Sequence, residues 1–199
     1  IHETGAEPAM LALVSVLLFA LAYSLDDPWK GAFVAGATLG AIALTRGWLP
    51  AGVLLLAAIA FTGAYGDRRI ERATLIMLLA FLVFSLWPTG ARIAHPQEAG
   101  SYLADWWRWN RASVGMPQAE GPLWLIRNVG WYAWPLWPFA FWTVYSWRHF
   151  VRRPHIALPL MVLAAGLSAS LLSVAPSDRE FLIAVPALGH AGEVQAFVL

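Results

Sequence analysis

The sequence predicts an all-α protein: a polytopic transmembrane helical bundle of about six to seven spans with a tryptophan-rich outer loop. Three observations lead there. Of 199 residues, 59% are hydrophobic and only 13% charged, with a mean hydropathy of +0.60, where a soluble domain carries about a quarter charged residues. The apolar residues gather in runs close to the length, about 20 residues, that crosses a bilayer. Basic clusters punctuate those runs on alternate sides, the charge pattern of a chain threaded back and forth through a membrane.

The first span is residues 9–25, preceded by Glu7-Pro8, and proline suits a helix start because its missing N–H is not needed there. Asp26, Asp27, Pro28, Trp29 and Lys30 form a tight polar turn before the second span, 31–45. Within that span Gly36 and Gly40 make a small-xxx-small pair, which lets helix backbones approach closely in lipid. Arg46-Gly47-Trp48 is a very short connection to the third span, 49–65, and a charged turn over 66–72 leads to the fourth, 73–87. Residues 88–128 change character: the stretch is long, polar and rich in tryptophan and arginine, and 98–113 has the pattern of a helix lying on the membrane surface, aromatics inward and arginines outward. A Trp- and Pro-crowded fifth span covers 129–147, and Arg148, His149, Arg152 and Arg153 close it. The sixth span is 156–174; a seventh begins at Phe181, where Pro186, Gly189, His190 and Gly192 interrupt it early.

Composition also excludes some classes. Without cysteine there is no disulfide and no thiolate metal site. No segment reads as a nucleic-acid patch, and in a membrane protein the placement of charge matters more than its sum of +1. The chain opens on Ile1 and a polar segment, with no signal peptide before the first apolar run. The expectation is a single transmembrane domain over 1–199, part of a longer chain, with 88–128 as its outer, periplasmic loop.

Orientation follows from the loops. Alternation groups Lys30, the Arg68/Arg69/Arg72 turn and the Arg148/Arg152/Arg153 turn on one side, seven of the 13 basic residues in three short turns, and the positive-inside rule places that side in the cytoplasm. The outer face then collects Glu3, Glu7, Arg46, His95, Glu98, Asp105, Arg127, Asp178 and Arg179.

A set of motifs along this topology resembles a known family. Glu7-Pro8-Ala9-Met10-Leu11 is an acid-Pro helix start, and Thr45-Arg46-Gly47 is a turn like the family's Thr-Lys-Gly. Trp131-Tyr132-Ala133-Trp134-Pro135-Leu136-Trp137-Pro138 resembles a Trp-Pro-rich helix, and the stretch from Arg179 to Pro186 an Arg-Tyr-Leu-Leu-Pro segment. Together they resemble the polyprenyl-phosphate-dependent membrane glycosyltransferases of the GT-C group, which include the protein O-mannosyltransferases and the aminoarabinose transferase acting on lipid A. The resemblance runs over nearly all of residues 3–188 and rests on the order and spacing of the motifs. It departs in two places: Phe181 stands beyond Glu180 where the family has Tyr directly after Arg, and the family's first outer loop, with its principal acidic pair, has no counterpart.

The resemblance implies a sugar transfer from a polyprenyl-phosphate-linked donor, the donor being a substrate with no further cofactor, to a lipid, glycan or protein acceptor at the outer face of the bacterial inner membrane. Such a transfer needs a base for the acceptor proton, cations for the departing phosphate and an aromatic-lined cavity for the sugar. Glu7 fits a catalytic acid-base role and equally a helix N-terminal cap, where a carboxylate suits the positive end of the dipole. Arg46 and Arg179 fit phosphate clamps, since guanidinium binds phosphate oxygens in bidentate fashion; snorkelling to headgroups for Arg46, and an ion pair with Asp178 or Glu180 for Arg179, are the plainer roles. Asp105 is a candidate acceptor contact, as is Glu98, or both solvate a surface helix; Trp106 and Trp107, with Trp109 and Trp124, stack on sugar rings or form an interfacial belt. His95 has no partner at metal-ligand spacing, so no metal is assigned. The partners expected are membrane lipids, the lipid-linked sugar and subunits of a membrane complex. The alternative functions are a non-catalytic membrane subunit that scaffolds a larger complex, with the Trp-rich loop as docking surface, and a transporter. Against the latter, no ionisable residue stands at a mid-span position.

Overall fold

A computed structural model of the chain describes residues 6–115, 127, 145, 149–150, 152–173 and 186. It is all-helical. In chain order the helices are α1 (Glu7–Tyr23), α2 (Pro28–Arg46), α3 (Trp48–Tyr65), α4 (Arg69–Ala94), α5 (Ala99–Ser113) and α6 (Pro154–Leu172). Among the described residues β-pairing is limited to a single antiparallel bridge, Val114 to Ser173. The helices α3, α4 and α6 are each long and apolar enough to cross a membrane, and α1 is a shorter apolar helix. The chain is in this sense a helical membrane protein. The fifth span expected over 129–147 and the seventh beginning at Phe181 fall, apart from single positions, outside the described residues.

The helix ends follow local chemistry. Asp27 caps α2: its side chain accepts from the Lys30 N–H at 3.1 Å, and Pro28 supplies the fixed φ of a first helical residue. α4 starts from Arg68 in the left-handed region, φ 50°. It then runs on to Ala94, so residues 88–94, expected in the outer loop, are helical. Pro88 is carried inside α4, where its missing N–H takes a donor from the Phe84 carbonyl; the nearby hydroxyls bond within the same stretch, Ser85 Oγ donating to Leu82 O at 2.7 Å and Thr89 Oγ1 to Ser85 O.

α1 to α4 form an up-and-down array. α1 buries Met10, Val14, Leu17 and Leu21, one face at helical spacing, as part of a shared core that α2, α3 and α6 also enter. α2 contributes mostly small residues to that core, and two of its glycines set the distance to α4. A Cβ on Gly36 would lie 2.8 Å from Ile76 O, and one on Gly40 2.6 Å from Val83 Cβ. The Gly36/Gly40 pair read from the sequence is therefore the α2–α4 crossing, where close backbone approach replaces the hydrophobic drive that lipid does not supply. Polar side chains inside the array satisfy themselves locally, Thr38 Oγ1 on Val34 O at 2.7 Å and Thr62 Oγ1 on Ala58 O at 3.0 Å.

Two ends result. At one, the α1–α2 turn, the α3–α4 turn and the start of α6 bring together Asp27, Lys30, Arg68, Arg69, Arg72, Arg152 and Arg153. At the other, the start of α1, the α2–α3 turn, α5 and the end of α6 meet. This is the alternation on which the sequence-based grouping of loops rests.

Candidate functional site at the α5 end

α5 is helical where a helix is expected over 98–113, and its sequence explains which side faces the bundle. Ala99, Leu103, Trp106, Asn110 and Ser113 recur at steps of four and three, and these are its buried and half-buried positions. Arg108 and Arg111 point away from the bundle, as expected. The aromatics divide. Trp106 turns inward, its ring 5.4 Å from Phe84, 5.7 Å from Trp87 and 6.4 Å from Trp48. Trp107 lies on the flank, edge to face with Trp48 at 4.6 Å, and is 53% exposed. Trp109 and Tyr102 are exposed on the opposite flank.

The inward position that sequence reasoning passed over is Asn110, fully buried. Its Oδ1 accepts from the Trp48 backbone N–H at 3.0 Å, its Nδ2 donates to Trp106 O at 3.0 Å, and its carbonyl oxygen accepts from Trp48 Nε1 at 3.0 Å. The first N–H of α3, which has no partner within the helix, is thus capped from α5. A signal existed: an asparagine sits in register with the apolar residues of an amphipathic helix, where only a bonded amide is tolerated.

Gly47 completes the joint. Its φ of +85° is a conformation that L side chains rarely adopt, and a Cβ there would lie 2.3 Å from Asn110 Oδ1 and 3.1 Å from Trp109 Cζ3. Arg46 precedes it, partly buried at the end of α2, and has no hydrogen-bond or ion-pair partner among the described residues. Glu7 stands at the same end, in the first turn of the neighbouring antiparallel α1 and partly buried. The expected substrate-binding residues separate accordingly. Trp106 and Trp107 meet Trp48 at the α2–α3 turn, and Arg46 ends α2 two residues before it; Asp105 faces outward, paired with Arg108 on the surface; Arg179 and Trp124 lie outside the described residues. Glu98 accepts from Tyr102 Oη at 3.0 Å along α5, and His95 ends α4, exposed.

The opposite end holds the second residue that the sequence did not reveal. Arg72, expected in a solvated turn, is 1% exposed and donates from Nη2 to Ser24 Oγ at 2.8 Å and Ser24 O at 3.3 Å, while its Nε has no partner among the described residues. A shallow cavity of about 420 Å³ over residues 66–71 lies at this end, far from Arg46. The chain matches no protein-family model, no curated protein and no solved structure.

Proposed function

We propose that the chain is the membrane core of a glycosyltransferase that moves a sugar from a polyprenyl-phosphate donor to a lipid, glycan or protein acceptor at the outer face of the bacterial inner membrane. The observation that carries this reading is Arg46: a partly buried residue without a partner among the described residues, two positions before Trp48, whose ring meets Trp106 and Trp107, on the same end as Glu7. A cation without a partner among the described residues, at the same turn as a tryptophan cluster, suits an anion attached to a sugar, because guanidinium takes phosphate oxygens in pairs and rings stack on pyranose faces. In the reaction the bond from the sugar's anomeric carbon to the phosphate oxygen breaks and the acceptor oxygen bonds that carbon. The phosphate leaves with the electron pair, held by Arg46 and Arg179, and Glu7 takes the acceptor proton or orients the acceptor. This reading keeps the six-to-seven-span bundle, with the five bundle helices joined by the apolar runs at 129–147 and from Phe181, and the basic end in the cytoplasm.

A second reading, a non-catalytic membrane subunit, is favoured by α4. That helix buries only Arg72 and Ile76 and exposes Leu78, Phe81, Leu82 and Leu86, a face that suits a partner helix as well as lipid. One experiment separates the two. With the full-length protein in liposomes supplied with polyprenyl-phosphate-linked sugar, Arg46→Ala should lower transfer about 100-fold, the usual effect of removing one charge-stabilising donor, with insertion intact. Undiminished transfer removes Arg46 from the site, and no transfer by the unmodified protein gives the subunit reading the lead.

A further inference from the structure

We infer that Asn110 is a positioning residue: through Trp48 and Gly47 it fixes α5, and with it Trp107 and Trp109, beside the Arg46–Gly47–Trp48 turn. The inference deepens the reading of Arg46 as a donor-phosphate cation, yet its geometric part stands without that reading.

Three observations carry it. Asn110 spends both ends of its amide on structure, the oxygen on α3 and the nitrogen on its own helix, and its backbone carbonyl takes the Trp48 indole as well. A fully buried amide bonded at both its oxygen and its nitrogen holds its element in one place, since a shift of α5 leaves a polar group unpaired without water to replace the partner. The second observation is steric. Gly47 leaves no room for a side chain on the face where Asn110 and Trp109 sit, so the turn is shaped around α5. The third is the balance of other contacts. Apart from Trp106, which packs on Trp48, Phe84 and Trp87, the edge contact of Trp107 and the approach of Trp109 to Gly47, α5 faces outward, with Tyr102 exposed and its Asp105–Arg108 pair on the surface. The placement of the helix relative to Arg46 thus depends on a few side chains, of which Asn110 alone bridges to the α2–α3 turn through hydrogen bonds among the described residues.

The absence of cysteine makes the test direct, because introduced thiols are the sole labelling sites in these residues. Spin labels at Leu44→Cys on α2 and Ala104→Cys on α5 report the joint in the full-length protein, and labels at Leu44→Cys and Leu56→Cys report the bundle. Asn110→Leu, close in volume and unable to hydrogen-bond, should broaden the α2–α5 distance distribution and leave the α2–α3 distribution narrow. Asn110→Asp, which keeps the acceptor for the Trp48 N–H, should restore the narrow α2–α5 distribution. Gly47→Ala should reproduce the broadening, and Gly47→Ala with Asn110→Leu should do no more than either alone, as substitutions in one shared contact do. An α2–α5 distribution unchanged by Asn110→Leu overturns the inference. So does broadening of both distributions, which makes Asn110 a folding residue of the whole bundle. In the transfer assay Asn110→Leu should raise KM for the lipid-linked donor about tenfold, the equivalent of one hydrogen bond, with kcat changed less. A broadened α2–α5 distance with unaltered KM leaves the joint in place and overturns the donor-binding reading instead.

Discussion

Arg72 and Ser24 hold the basic end of the bundle together. The guanidinium of Arg72, 99% buried, donates to both the hydroxyl and the carbonyl oxygen of a residue 48 positions earlier, at 2.8 and 3.3 Å. Ser24 is the C-cap of α1, so a cation sits where the dipole of that helix is negative. Arginine suits the place better than lysine because its planar fork reaches two acceptors at once.

Ser24→Ala should therefore destabilise the protein by about 1–3 kcal/mol, the cost of leaving a buried charged donor short of a partner. Gly66 belongs to the same unit. Its φ of −146° is open to any residue, but a Cβ would lie 1.7 Å from Arg72 Nη1. Gly66→Ala should be destabilising in the unmodified protein and close to neutral once Arg72→Ala has removed the obstruction. Equal effects in the two backgrounds, measured by unfolding in mixed micelles, would show that the clash is not the cause.

The glycines of the helices divide by neighbour. Gly31→Ala sets a Cβ 2.4 Å from the Ser24 Cα, and Gly36→Ala and Gly40→Ala press on α4 at 2.8 and 2.6 Å. Each should cost about 1–3 kcal/mol by overpacking. Gly52 and Gly63 meet nothing within 4 Å, so alanine there should be neutral or stabilise by up to about 1 kcal/mol through helix propensity. Unfolding of the five variants side by side checks the ranking.

Asp27 gives the α1–α2 turn a pH dependence. The hydrogen bonds from Lys30, its side chain first and then its backbone N–H, hold the Asp27 carboxyl below its ordinary 3.8. A depressed carboxyl stabilises the folded state fully above pH 3.8, and the contribution fades as pH falls through the lower folded value. Asp27→Asn keeps the cap and loses the charge, so its stability should lie below that of the unmodified protein at neutral pH and converge with it in acid. Curves that stay parallel across the whole range would remove the ion pair as the cause.

Asp105 and Arg108 are paired on the outer surface of α5, with side chains 65% and 76% exposed. Asp105→Ala should change stability by less than about 1 kcal/mol, as exposed pairs do. Its effect on transfer then reports acceptor contact alone, free of any loss of fold.

Much of the fold was legible from period and punctuation. The apolar runs at 9–25, 31–45, 49–65 and 156–174 became α1, α2, α3 and α6 within a few residues, because length and apolarity are local properties. The helix α5 was legible for the same reason: its tryptophans and arginines alternate at helical spacing. Gly36 and Gly40 announced a close crossing, but not that α4 would be the partner. The end of α4 reads from the sequence as Trp87, since Pro88 looks like a stop, whereas the helix continues past it to Ala94.

The sequence by itself determined that the chain is helical, apolar enough for a membrane and divided between a basic end and an aromatic end, because composition and periodicity act along the chain. The tertiary structure decided which polar groups are buried. Arg72 looks like one more cation in a charged turn and Asn110 like one more polar residue of an amphipathic helix, yet each is enclosed by a segment distant in sequence: Ser24 lies 48 residues from Arg72, and Trp48 lies 62 from Asn110. Burial of a polar group is set by what packs on it from elsewhere, and no local pattern records that partner.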